Sequence, residues 1–230
     1  PDTGITTITR NKSGNPVSST DARGQVSNIT YDVLNRLTNV NYVGSSSENV
    51  TITYDSCTNG IGKVCSISDG SGTQSYIYDS KGRLSMKNYT NGTFSKTVAY
   101  SYNNNGQLSG ITYPSGKMVM YNYINDKISS LSYTDNSITT DIATNITYEA
   151  FNPRLSSFTW GNAATYNQSF TADGVISSIN AANAYPVNKS YGYDSRFNIT
   201  SITEAGNSAR SSTGTYDSMS RTNNYSYGSS

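Results

Sequence analysis

The chain offers few groups able to do chemistry, and their types narrow that chemistry at once. Its 230 residues contain no histidine. Ser–His–Asp and Cys–His nucleophilic arrangements therefore lack their base in the usual forms. General acid–base work would fall to carboxylates. Asp32, Asp55, Asp79, Asp194 and Asp217 each follow a tyrosine at the start of a polar turn. A side-chain hydrogen bond to the turn backbone accounts for such residues. Glu48, Glu149 and Glu204 are scattered, and no spacing pairs them. Gly60-Ile-Gly62 lacks the helix-opening context of a phosphate loop. Two cysteines without histidine cannot complete a tetrahedral zinc site unless carboxylates join. We expect no enzyme, no cofactor and no metal centre.

Cys57 and Cys65 lie eight positions apart, in a turn longer than its neighbours. A disulfide across that turn suits an exported protein; two free thiols are the other reading. The twenty tyrosines also have two readings. Their faces could receive the apolar faces of sugars. Alternatively, rings at equivalent positions stack between neighbouring strands, each pair adding roughly 0.2–1 kcal/mol. Their regular recurrence favours the stacked ladder. Trp160, beside Gly161-Asn162, is read as packing rather than as a ligand platform.

The elements that position these residues repeat. Tyr31, Tyr54, Tyr78, Tyr102, Tyr123, Tyr148, Phe170, Tyr193 and Tyr216 recur at intervals of 21 to 25 residues. A period of this size means one supersecondary unit used many times. In Tyr76-Ile-Tyr-Asp-Ser-Lys-Gly-Arg-Leu84, Tyr76 and Tyr78 share a strand face. Asp79 starts an Asx-type turn, and Gly82 supplies a left-handed backbone. Leu84 then opens the return strand. Asn91-Gly92 signals the next hairpin turn, and Asn103 to Gly106 repeats the first. Each unit is expected to hold two strands of roughly eight to ten residues and two turns. Residues 1–35 carry a shorter form, with turns at Asn11–Gly14, Asp21–Gly24 and Asp32–Asn35, every ten or eleven residues. Residues 36–230 carry the longer form, in the same continuous sheet.

A finer regularity follows each turn. Apolar residues stand three apart, as in Leu37/Val40, Val64/Ile67, Leu108/Ile111, Ile176/Ile179 and Ile199/Ile202. Strict strand alternation would put such pairs on opposite faces. A β-bulge at the same place in each unit would restore them to one face and bend the strand. The expected fold is therefore all-β: a repetitive antiparallel β-hairpin meander wound into a curved sheet, partial barrel or shell.

Composition agrees. Only 13% of residues are charged and 34% hydrophobic, yet Tyr, Thr, Ile and Val are plentiful, which fits a pleated surface and not a disordered chain. The net charge of +1 provides no basic stripe for nucleic acid. No apolar run approaches the roughly 18 residues of a membrane span. The sequence starts at Pro1 and stops inside another repeat, so we expect a segment of a longer polypeptide.

Tyr78-Asp79…Gly82-Arg83-Leu84 matches the Tyr-Asp-x-x-Gly-Arg-Leu pattern of the Rhs, or YD-repeat, family. Tyr31-Asp32…Asn35-Arg36-Leu37 nearly matches it, and Tyr193-Asp194 and Tyr216-Asp217 open weaker copies. The chain resembles that family over nearly its whole length, and the insertion bearing Cys57 and Cys65 is similar to one in bacterial members. The resemblance implies a hollow β-shell in a secreted or surface-delivered bacterial protein, enclosing and delivering a toxic C-terminal domain. It implies as partners the remaining repeats, other copies, or the enclosed toxin domain. Family members often end in a self-cleaving segment containing Asp-Pro-x-Gly, and no Asp-Pro pair occurs here. The alternative is a cell-surface adhesion module that binds a glycan or another cell.

Overall fold

Alternation sets the strands. In Val50-Thr-Ile-Thr-Tyr54, Val50, Ile52 and Tyr54 are half-buried while Thr51 and Thr53 are exposed. Period-two patterning of this kind makes one face aromatic and aliphatic and the other hydroxyl-bearing. A computed structural model of the chain describes residues 4–182 and 187–228. Among them are twenty strands and two short 3-10 turns, so the protein is all-β.

The chain divides into two units, residues 1–118 and 119–230. The first holds β1 (Thr7–Arg10), β2 (Pro16–Thr20), β3 (Val26–Tyr31), β4 (Leu37–Tyr42), β5 (Val50–Tyr54), β6 (Val64–Asp69), β7 (Gly72–Tyr78), β8 (Leu84–Asn91), β9 (Phe94–Tyr102) and β10 (Leu108–Thr112). Each strand pairs antiparallel with the next. The pairing of β3 with β4 crosses the point where the repeat lengthens.

β11 (Met118–Ile124) begins on the last residue of the first unit. The second unit continues with β12 (Lys127–Asp135), β13 (Ile138–Tyr148), β14 (Leu155–Trp160), β15 (Thr165–Phe170), β16 (Ile176–Ala181), β17 (Val187–Tyr193), β18 (Ile199–Glu204), β19 (Ser212–Tyr216) and β20 (Thr222–Tyr227). From β12 onward these also pair antiparallel in sequence order.

The apolar residues three apart are explained by a bulge. Tyr31 pairs with Leu37, but Thr30 pairs with Asn39, leaving Thr38 unpaired. Leu37 and Val40 then lie on the same face. The same step leaves out Cys65, Ser85, Ser109, Ser156, Ser177 and Thr200. In these seven pairings the bulge follows the first aliphatic residue after the turn, and serine, threonine or cysteine occupies it; Val17 and Asn223 take the place between β1 and β2 and between β19 and β20. Several of these hydroxyls bond across the strands: Thr38 to Thr30 at 3.1 Å, Ser85 to the Ile77 carbonyl at 3.0 Å and Ser156 to Thr147 at 2.8 Å.

The strands are shorter than the sequence pattern implies, most having five to seven residues. Turn closure and the bulge consume positions that alternate like strand. The turn expected at Asn91-Gly92 is shifted by one residue. Asn91 pairs with Phe94, so Gly92 and Thr93 form the loop.

Among the described residues, the substantial strand-to-strand contacts are between sequence neighbours. Cys65, Ala143 and Ala164 are the buried hydrophobic residues among those described, and no large side chain is fully buried. Cohesion must come from hydrogen bonding and from contacts between adjacent hairpins.

Candidate functional site

The residues singled out by the sequence converge on a clamp that joins one repeat to the next. It starts with the turn. Asp79 Oδ1 accepts the backbone N–H groups of Lys81 and Arg83, both at 2.9 Å. Its Oδ2 receives Arg83 Nε at 2.7 Å. The Asp79 N–H donates to the Arg83 carbonyl, and the Gly82 N–H to the Asp79 carbonyl. Asp32 and Asp217 repeat this arrangement with Arg36 and Arg221. Asp194 uses Asn198 instead of arginine. The fourth turn residue is left-handed throughout: Gly82 at φ 74°, Gly106 at 87°, but also Asn35 at 59°, Phe197 at 65° and Ser220 at 60°. The carboxylate network holds non-glycine residues in that region.

The tyrosine completes the clamp from the following repeat. Tyr54 Oη donates to the Leu37 carbonyl at 3.0 Å, Tyr78 to Val64 at 2.7 Å and Tyr102 to Leu84 at 2.8 Å. In the second unit Tyr193 donates to Ile176 at 2.7 Å and Tyr216 to Ile199 at 2.9 Å. Each accepting carbonyl belongs to the first aliphatic residue after the preceding turn. Burial pushes the Tyr78 and Tyr193 hydroxyls above the usual phenol value, with the neighbouring tyrosine adding to it.

The cation of the first repeat covers the ring of the second. The Arg36 guanidinium lies 4.3 Å from the Tyr54 centroid, Arg83 lies 4.2 Å from Tyr102 and Arg154 lies 3.9 Å from Phe170. Lys63 stands over Tyr78 and Lys127 over Tyr148, each at 5.3 Å. Arg36 also reaches the next turn, donating to both Asp55 oxygens. Arg154 bonds the Gly174 carbonyl in the same way, and Arg196 the Ser218 carbonyl.

Several repeats depart from the scheme. Tyr123 is followed by a two-residue turn, Asn125-Asp126, with both residues left-handed, which leaves no room for the Asx network. Tyr148 is followed by Glu149, whose longer side chain takes Arg154 Nε at 3.0 Å across a longer turn. Phe170 has no hydroxyl to donate. It lies in an open depression of about 560 Å³ with Leu155, Ile176 and Tyr193.

At the cysteine turn, Cys57 and Cys65 are disulfide-bonded, with Cα atoms 5.3 Å apart. Cys65 occupies the bulge position filled by serine or threonine in six other hairpins. Asp55 accepts the Gly62 N–H at 2.7 Å, and Lys63 replaces the usual arginine.

The aromatic residues of β14 and β15 form a separate group. Phe158 stacks on Tyr166 with centroids 4.9 Å apart, and Trp160 meets Phe158 edge-on at 4.6 Å. Trp160 remains 44% exposed. Among the described residues, no cluster of three or more His, Cys, Asp or Glu is placed to hold a metal. No helix among them is long and apolar enough to cross a membrane.

Every element of the clamp follows the Tyr-Asp…Gly-Arg-Leu repeat, and a sequence profile described as Teneurin YD-shell matches residues 3–133. The chain belongs to the teneurin YD-shell family. Its clamp is thus the joint of a YD shell, and its role is that of a structural shell segment. No curated protein matches the sequence. The YD-shell fold is also found in solved structures. The chain is similar to the crystal structures of TcdB2-TccC3, with a TM-score of 0.79, and of TcdB2-TccC3-Cdc42, with 0.78. Each match has 16% identity and covers 96% of this chain but only 13% of the other. The likeness establishes the fold over nearly the full segment.

Proposed function

We propose that this segment forms part of the wall of a hollow shell that encloses and delivers a toxic C-terminal domain of the same polypeptide. In this reading the segment has no catalytic role. The supporting observation is the clamp itself. Where the clamp is complete, one hairpin is fastened to the next by a tyrosine hydroxyl, a stacked cation and a carboxylate-held turn. Such a sheet extends by adding hairpins, and its product is a wall. The remaining repeats are its partners, and containment is steric. The disulfide supports a protein that reaches the outside of a bacterial cell, secreted or surface-held.

The test is the intact polypeptide in its source. The proposal expects a chain many times longer, ending in an unrelated domain that resists protease until the shell is opened with denaturant. A mature product of about this size, or one ending in a wall or membrane anchor, would replace the proposal with an adhesive surface protein. One observation favours that second reading: Trp160 presents an exposed ring beside Phe158 and Tyr166. Glycan binding lost on Trp160→Ala would support it.

A further inference from the structure

The disulfide-bearing turn reaches beyond its own repeat. Asn59 Nδ2 donates to the Tyr78 carbonyl at 2.9 Å, and the Tyr78 N–H donates to the Thr58 carbonyl at 3.3 Å. Both backbone polar groups of Tyr78 are therefore held by residues lying between Cys57 and Cys65. In the turns after Tyr31, Tyr78 and Tyr216 an aspartate–arginine pair closes the turn. Here Lys63 stands in the arginine position over the Tyr78 ring, and Asp55 is engaged by Arg36 of the preceding repeat. The covalent bond has taken over the closure.

The two sulfurs are not equivalent. Cys57 is partly exposed, whereas Cys65 is 4% exposed. The Cys57 backbone N–H points at Cys65 Sγ, 2.9 Å away. A hydrogen-bond donor aimed at one sulfur stabilises negative charge developing there, which makes that sulfur the better leaving group. The open sulfur is the one a thiolate can reach.

We propose that Cys57–Cys65 is a reducible latch, attacked at Cys57, whose opening frees the joint between the β5–β6 and β7–β8 hairpins. A thiolate from a dithiol reductant bonds to Cys57 Sγ, and the Cys57–Cys65 bond breaks with its electron pair leaving on Cys65. The reductant's second thiolate then displaces Cys57, the reductant is oxidised to its own disulfide, and both cysteines take up protons. The loop between them keeps its sequence but loses its closure, and with it the two bonds to Tyr78. The latch does not depend on what the shell encloses.

Hydrogen exchange on the intact polypeptide, before and after mild dithiothreitol, tests this. The Tyr78 amide is expected to exchange at least about tenfold faster after reduction, while amides around Tyr102, in the next repeat, keep their rate. The C57S variant should show the fast rate without reductant. A limiting monothiol should leave its mixed disulfide on Cys57, read by peptide mapping. Unchanged exchange at Tyr78 with full reduction would overturn the latch, and a mixed disulfide on Cys65 would overturn the direction of attack. Loss of protection throughout the chain would also overturn it, because the bond would then hold the fold and not one joint.

Discussion

The Arg83 guanidinium lies over the ring of Tyr102, with its central carbon 4.2 Å from the ring centroid. The two residues belong to successive repeats. Arg83 closes its own turn through Asp79, and the Tyr102 hydroxyl reaches back to the Leu84 carbonyl beside Arg83. Turn closure and repeat joining are thus one structure.

Removing the hydroxyl should weaken that structure in a measurable way. Tyr102→Phe is expected to cost about 1 kcal/mol while keeping the cation over the ring. The reverse change, Phe170→Tyr, should gain a similar amount, because the depression beside Phe170 has space for a hydroxyl directed at Leu155. Urea midpoints of the two variants check both signs. Stabilisation by Y102F would contradict the clamp.

Arg83 Nη1 is buried and lacks a hydrogen-bond acceptor. Its counterpart Arg36 finds both oxygens of Asp55 in the next turn. The equivalent residue after Tyr102 is Asn103, whose oxygen already serves Gln107 N–H. Asn103→Asp should supply the missing acceptor and stabilise the chain by on the order of 1 kcal/mol. The gain should shrink in concentrated salt. Thermal melts at two ionic strengths would show it.

Acid should loosen the turns together. The Asp79 carboxyl lies below its usual value of 3.8, chiefly through the Arg83 backbone N–H, with the guanidinium adding to the effect and burial opposing it. Asp32 is lowered in the same way by Arg36, Asp217 by Arg221 and Asp194 first by the Asn198 amide. A carboxylate with a depressed folded pKa contributes stability that is present above its unfolded pKa and lost as pH falls through the folded one. Stability should therefore hold from neutrality to about pH 5 and decline below about pH 4. Denaturant midpoints across that range provide the measurement, and a midpoint independent of pH down to about pH 2 would contradict it.

Gly60 lies against the disulfide. A Cβ there would stand 2.3 Å from Cys57 Sγ and 2.7 Å from Cys65 Sγ, closer than any side chain tolerates. Gly60→Ala should cost about 1–3 kcal/mol and leave a larger fraction of free thiol after oxidative refolding. Thiol titration alongside a thermal melt would detect both effects.

Much of this was legible from residue spacing. The recurrent tyrosine marked each repeat, Asp and Gly marked the turn, and Leu37 with Val40 marked the bulge, because each has a period that survives in sequence. The identity of the bulged residue was not legible. Thr38 and Ser85 are distinctive only in register, and this chain is crowded with serine and threonine. The cation over the next ring was hidden too, because arginine, lysine, glutamine, valine and asparagine all occupy the position and its target lies 15 to 21 residues away. The Tyr123 repeat misled in the opposite direction. Its tyrosine keeps the period, but the two-residue turn at Asn125-Asp126 has no place for a carboxylate network. The strands were overestimated because turn and bulge residues imitate strand alternation.

Pairing each strand with the one before it has a kinetic consequence. Within each unit, the separation along the chain between contacting residues stays near one repeat, however many repeats are added. Contact order remains low, and no early residue must wait for a distant partner. Within each unit, a chain emerging N-terminus first therefore settles hairpin by hairpin, each finished hairpin serving as the template for the next.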